Sequence, residues 1–66
     1  MEYILECVAH YNNGIKENYD VVVNVDMIGD APEEARNYLR NKILEERGRR
    51  EYRKLFAITV EAVDIV

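Results

Sequence analysis

The sequence predicts an α+β domain: a three-stranded antiparallel sheet with one helix on one face. Three observations carry this prediction. Two segments near the N-terminus alternate apolar and polar residues with period two, a capped middle segment has helical spacing, and the last segment returns to period two. The element order is therefore ββαβ, and 66 residues make a single domain, residues 1–66.

The first strand is predicted over Tyr3 to Tyr11. Tyr3, Leu5, Cys7, Ala9 and Tyr11 share one face, and Ile4, Glu6, Val8 and His10 share the other. The second runs from Tyr19 to Met27, with Tyr19, Val21, Val23, Val25 and Met27 on the apolar face. The turn-rich segment Asn12 to Asn18 makes the two a hairpin. Directly opposed residues lie on the same face, so paired residue numbers must sum to an even value. A three-residue loop with a left-handed Gly14 gives 26, a seven-residue loop gives 30, and both satisfy the parity.

The helix start is marked by Asp30 as cap, Glu33 three residues on as its capping-box partner, and Pro32 in the first turn. Ala31, Ala35, Tyr38, Leu39, Lys42 and Ile43 form a stripe, and Gly48 is the expected stop. Leu44 lies off that stripe. The last strand is predicted from Tyr52 to about Val66. Its apolar face is Phe56, Ile58, Val60 and Ala62, and the tail is expected to overhang the domain. Alternating chain directions allow strand order 2-1-3 or 1-2-3. The order 2-1-3 is preferred because the first strand has the cleanest buried face and direct hairpin neighbours are usual.

A chain this short buries about 60% of its unfolded surface, and a core of this size rarely supplies more than about 3–5 kcal/mol of net stability. Cys7 is the only cysteine and His10 the only histidine, so neither an internal disulfide nor a zinc site is available to supplement it. Self-association is the expected supplement. The sheet face away from the helix would carry Ile4, Val8, Val22, Leu55, Val63 and Ile65. With Leu44 these residues are the expected oligomer interface. No charged-then-apolar leader opens the sequence and no apolar run approaches a membrane span, so a cytoplasmic protein without a membrane partner is expected.

Net charge is −4, but it is segregated. Residues 1–35 set Lys16 against eight acids, while residues 36–54 set eight bases against Glu45, Glu46 and Glu51. The predicted topology brings the hairpin loop and the helix–strand loop to one end. That end would gather Arg47, Arg49, Arg50, Arg53, Lys54 and Lys16 with Tyr11, Tyr19, Tyr52 and Asn13. Guanidinium forks suit carboxylate or phosphate, and tyrosine rings suit stacking. The expected ligand is a nucleotide-like anion or an acidic protein surface. Local pairing with Glu17, Glu45, Glu46 and Glu51 is the ordinary alternative.

Enzymatic readings find little support. Cys7 and His10 are three apart on a strand and point to opposite faces, and no glycine-rich phosphate loop is present. No cofactor, metal or catalytic residue is expected.

A ββαβ order within 66 residues, leaving its second strand into Asp30-Ala31-Pro32-Glu33-Glu34-Ala35, resembles small accessory proteins encoded by bacteriophages, of host-takeover or anti-defence type. The resemblance implies a viral, non-enzymatic inhibitor in the host cytoplasm that blocks a host factor or sequesters a small molecule such as a nucleotide. It carries over no functional residue. The expectation is thus a non-catalytic homo-oligomeric binding protein. The alternatives are a small RNA- or DNA-binding module using the Arg-rich loop, which the net negative charge disfavours, and a purely structural assembly subunit.

Overall fold

The computed structural model describes residues 1–66. The elements are β1 (Glu2–Tyr11), β2 (Lys16–Asn24), a 3₁₀ turn (Ile28–Asp30), α1 (Ala31–Tyr52) and β3 (Leu55–Ile65). The sheet is antiparallel in the order β2-β1-β3, the preferred one of the two that chain direction allows. It is covered on one face by α1.

The hairpin adopts the shorter of the two permitted loops. Glu2 faces Asn24 and His10 faces Lys16, so paired numbers sum to 26 throughout. Gly14 at φ 86° supplies the left-handed residue that a three-residue loop requires. β2 therefore begins earlier and ends earlier than expected, and Met27 stands 69% exposed in the following turn.

The core forms where the two periodicities meet. Tyr3, Leu5, Cys7, Ala9 and Tyr11 are all buried along β1, and Ala31, Ala35, Leu39 and Ile43 are buried along α1 at a spacing of four. The alanines let the helix start close to the sheet, and Leu39 and Ile43 fill the space beyond them. Burying each such Leu or Ile contributes about 1.5–3 kcal/mol. Pro32 lies in the first turn as expected, but the capping box does not form. Asp30 is itself in a helical conformation (φ −87°, ψ −14°) at the end of the 3₁₀ turn, and its side chain makes no cap bond. A capping side chain needs an extended backbone at that position.

β3 departs most from the sequence reading. Glu6 faces Ala62 while Cys7 faces Val60, so Glu61 is an extra residue. His10 faces Ala57 while Tyr11 faces Leu55, so Phe56 is another. Each bulge reverses the parity of the residues beyond it. Ile58 is buried and Val60 packs on the core as predicted, but so do Leu55 and Val63, which were expected on the opposite face. Phe56, expected inside, is 68% exposed, and Ala62 turns to the outer face beside Glu6. Ile65 also stands on the helix side, opposite Tyr3. The tail does not overhang, because the Val66 N–H donates to the Glu2 carbonyl at 3.1 Å. Of the expected interface residues, only Ile4, Val8 and Val22 lie on the sheet's outer face. Half-buried Leu44 belongs to the helix layer.

Candidate functional site

The basic end is assembled by two backbone devices. The Asn12 N–H donates to the Lys54 carbonyl at 2.7 Å, which staples the hairpin loop to the entry of β3. Asn13 Oδ1 accepts the Ile15 N–H at 3.1 Å and so serves the loop itself. Gly48, at φ 83° and ψ 171°, then kinks α1. Gly48 was expected to end the helix; instead Arg49 to Tyr52 form a further helical turn, closed by the Arg53 N–H on the Arg49 carbonyl at 3.0 Å. The short loop expected there is therefore mostly a turn of helix set at an angle to α1.

The structure brings the expected residues to one end but divides them into two sets. The first is an internal clamp. Arg47 pairs with Glu17 at 2.8 Å and lies over the Tyr11 ring, 5.7 Å from its centre. The Tyr19 hydroxyl donates to the same Glu17 at 3.1 Å. The Tyr11 hydroxyl is buried beside Glu17 and Arg47 yet meets hydrogen-bond geometry with neither. Burial, and then the carboxylate of Glu17, push the Tyr11 hydroxyl above the ordinary tyrosine range, and the same causes push Tyr19 up to about 12. A partly exposed ion pair such as Arg47–Glu17 contributes about 0.2–1 kcal/mol, but here it ties the helix end to β2. Tyr52 also packs against the core.

The second set is free. Arg49, Arg50 and Arg53 are exposed and have no ion pair, whereas Lys54 is held by Glu51 at 3.3 Å. Lys16 is exposed and unpaired on the outer sheet face, opposite His10. None of the four surface depressions is lined by Arg49, Arg50 or Arg53. The guanidiniums therefore present an open surface rather than a cleft that could enclose a small molecule.

A second constellation, unseen in the sequence, lies on the outer face. His10 Nε2 is 2.9 Å from Thr59 Oγ1, and Thr59 donates to Glu61 Oε1 at 3.3 Å. A hydroxyl has one proton, so with Thr59 donating to Glu61, His10 must donate to Thr59. That polarity is opposite to what would activate the hydroxyl as a nucleophile. The Phe56 ring lies 6.1 Å from the His10 ring. Alternation already puts His10, Thr59 and Glu61 on the outer face, but the bulges set their register and turn Phe56 out beside them, and period-two reading cannot locate a bulge. Cys7 is buried, and burial raises its thiol pKa. No group of three or more His, Cys, Asp or Glu side chains is arranged to hold a metal ion, and no helix is long and apolar enough to cross a membrane.

At the opposite end Asp30 of the 3₁₀ turn and Glu33 and Glu34 of the first turn of α1, with Val25, Asp26 and Asn37, line an open depression of about 410 Å³. The charge segregation of the sequence thus becomes a basic pole and an acidic pole on a molecule 35 Å long. No protein-family model, curated protein or solved structure matches this chain.

Proposed function

We propose that this protein is a non-catalytic, self-associating binding module that docks an acidic protein surface against Arg49, Arg50 and Arg53. The observation that carries the reading is that these three guanidiniums share one kinked turn, exposed and without an acidic partner, while the neighbouring cations Arg47 and Lys54 are already neutralised. Arg forks pair bidentately with carboxylates, and an open surface suits a macromolecular partner better than a nucleotide, which needs a cleft that buries most of it. The net charge of −4 opposes a long polyanion such as nucleic acid and confines an acidic partner to the basic pole. Self-association fits the small core of twelve buried residues. An inhibitor of the kind that phages direct at host proteins is the setting in which such a module would act.

The test uses a polyglutamate peptide as probe, with a mixed-sequence oligonucleotide beside it. The wild type binds the peptide, more weakly as salt rises, and the triple variant Arg49→Ala/Arg50→Ala/Arg53→Ala loses binding without a change in melting temperature. Glu17→Gln, which frees Arg47, strengthens binding. Equal binding by wild type and triple variant, or preference for the oligonucleotide, would reject the proposal.

A further inference from the structure

β2 is an edge strand whose outward backbone is unoccupied. The Tyr11 N–H donates to the Ile15 carbonyl at 3.0 Å and the Val25 N–H donates to the Met1 carbonyl at 3.1 Å. In an antiparallel ladder these bonds fall at every second residue. The odd-numbered residues of β2 therefore bond to β1, and Lys16, Asn18, Asp20, Val22 and Asn24 point their N–H and C=O groups away from the sheet. All five are exposed, and none donates a backbone bond in any turn, loop or cap. Natural edges are blunted by bulges, prolines, short length or cover. β3, the other edge, carries two bulges, whereas β2 runs nine residues in continuous register without proline or glycine.

We propose that β2 is the docking edge for a second copy of this chain, paired antiparallel about a two-fold axis at Val21 to give one six-stranded sheet. This rests on the self-association in the proposed function and names its surface; it does not depend on the basic end. Charge selects the register. With the axis at Asp20, that carboxylate would face its own copy, which is destabilising. With the axis at Val22, Lys16 would face Ile28 and find no partner. With the axis at Val21, continuing the ladder brings Lys16 of each copy level with Asp26 of the other, two residues past the end of β2, so two ion pairs form by symmetry. In that register Asp20 faces Val22, and Tyr19 faces Val23 on the helix side, a favourable aromatic and β-branched pair. Neither Lys16 nor Asp26 has an ion-pair partner within the chain. The interface is isologous and closes at two copies. On α1, exposed Tyr38 lies about 200° around the helix from Arg36, which reaches β3, so Tyr38 flanks the β2 side, where the second copy's helix would arrive.

The experiment is native mass spectrometry and light scattering on the full chain and three variants, with polyglutamate binding measured alongside. Val22→Pro removes an outward N–H that the chain does not use, a substitution edge strands tolerate. The wild type is expected to be a dimer, and Val22→Pro a folded monomer that still binds the peptide. Lys16→Asp should weaken dimerisation at least tenfold, and Lys16→Asp/Asp26→Lys should restore it. A wild-type monomer at about 100 µM would overturn the proposal, as would a larger multimer or a dimer that survives in folded Val22→Pro. If Val22→Pro does not fold, the charge series decides: equal dimerisation by the wild type, the single variant and the charge-swapped variant rejects the Val21 register. Loss of peptide binding in every form, with the dimer intact, would reject the basic-end reading and leave this one standing.

Discussion

β2 and β3 flank the same central strand and meet the same helix, yet one is regular and the other is bulged twice. β2 pairs with β1 in one unbroken register, and its alternation read in sequence is its alternation in space. β3 has a more apolar sequence, and its bulges at Phe56 and Glu61 redirect Leu55, Phe56, Ala62 and Val63. The difference teaches that apolar residues on both faces of a strand pattern can signal a bulge rather than a second buried face. The irregular strand is also pinned from above, since the Arg36 Nε–H donates to the Ile58 carbonyl at 3.0 Å. Bulges are one way natural sheets blunt an edge, and β2 has none.

The comparison is broken most completely at Ile58, the only buried residue that β3 contributes, whereas β2 contributes both Val21 and Val23. Ile58→Ala is expected to cost about 2–5 kcal/mol, which is comparable to the whole stability of a domain this size. Chemical denaturation should find the variant largely unfolded. Two-state unfolding at nearly the wild-type midpoint would mean that β3 is held mainly by its backbone pairing.

Next in size is Gly48, which turns the chain from α1 toward β3. Its backbone conformation is one that only glycine enters without strain, and a Cβ placed there would meet nothing within 4 Å. Gly48→Ala should therefore cost about 1–3 kcal/mol through conformation alone, read as a lower denaturation midpoint at unchanged slope.

The β2 side is sharpened by pH. Tyr19 has its folded pKa raised to about 12 by burial and by Glu17, and Tyr11 is raised in the same direction. A raised folded value means the stabilisation is complete below the ordinary tyrosine range near 10. It is lost as pH climbs from there through about 12. Thermal melts across that window should show stability falling, with tyrosine ionisation at 295 nm lagging in the folded protein. Stability flat across the window would show that Tyr19 and Tyr11 ionise as readily in the folded chain as in the unfolded one. Tyr19 is partly exposed, so the effect should be smaller than either substitution.

The smallest effect on stability, and the most direct test of the two edges, is deletion of Glu61. The registers on either side of the bulge then join without a shift, so the fold should persist with a change within about 1 kcal/mol. The straightened β3 should gain concentration-dependent association by light scattering. An unchanged mass would show that the bulge at Glu61 does not protect that edge.

The sequence determined the elements whose signals are local. Alternation fixed the buried face of β1 down to each residue, helical spacing placed Ala31, Ala35, Leu39 and Ile43 on the helix face but also Tyr38 and Lys42, which are not buried, and parity restricted the hairpin to even registers. Chain direction left two strand orders, and the preferred one is observed. The gathering of Arg47 to Lys54 with the hairpin loop was legible too, because it follows from topology alone. Only the tertiary structure decided which of these cations are free. Arg47 is claimed by Glu17 and the Tyr11 ring, contacts distant in sequence that depend on where α1 crosses the hairpin. It also decided the loop length, the turn of helix beyond Gly48, the uncapped Asp30 and the two bulges. A bulge costs little locally and is chosen by how a whole strand fits its neighbour and the helix above. No short window of sequence contains that balance, and so the His10–Thr59–Glu61 chain and the contrast between the two edges emerge only when the strands are side by side.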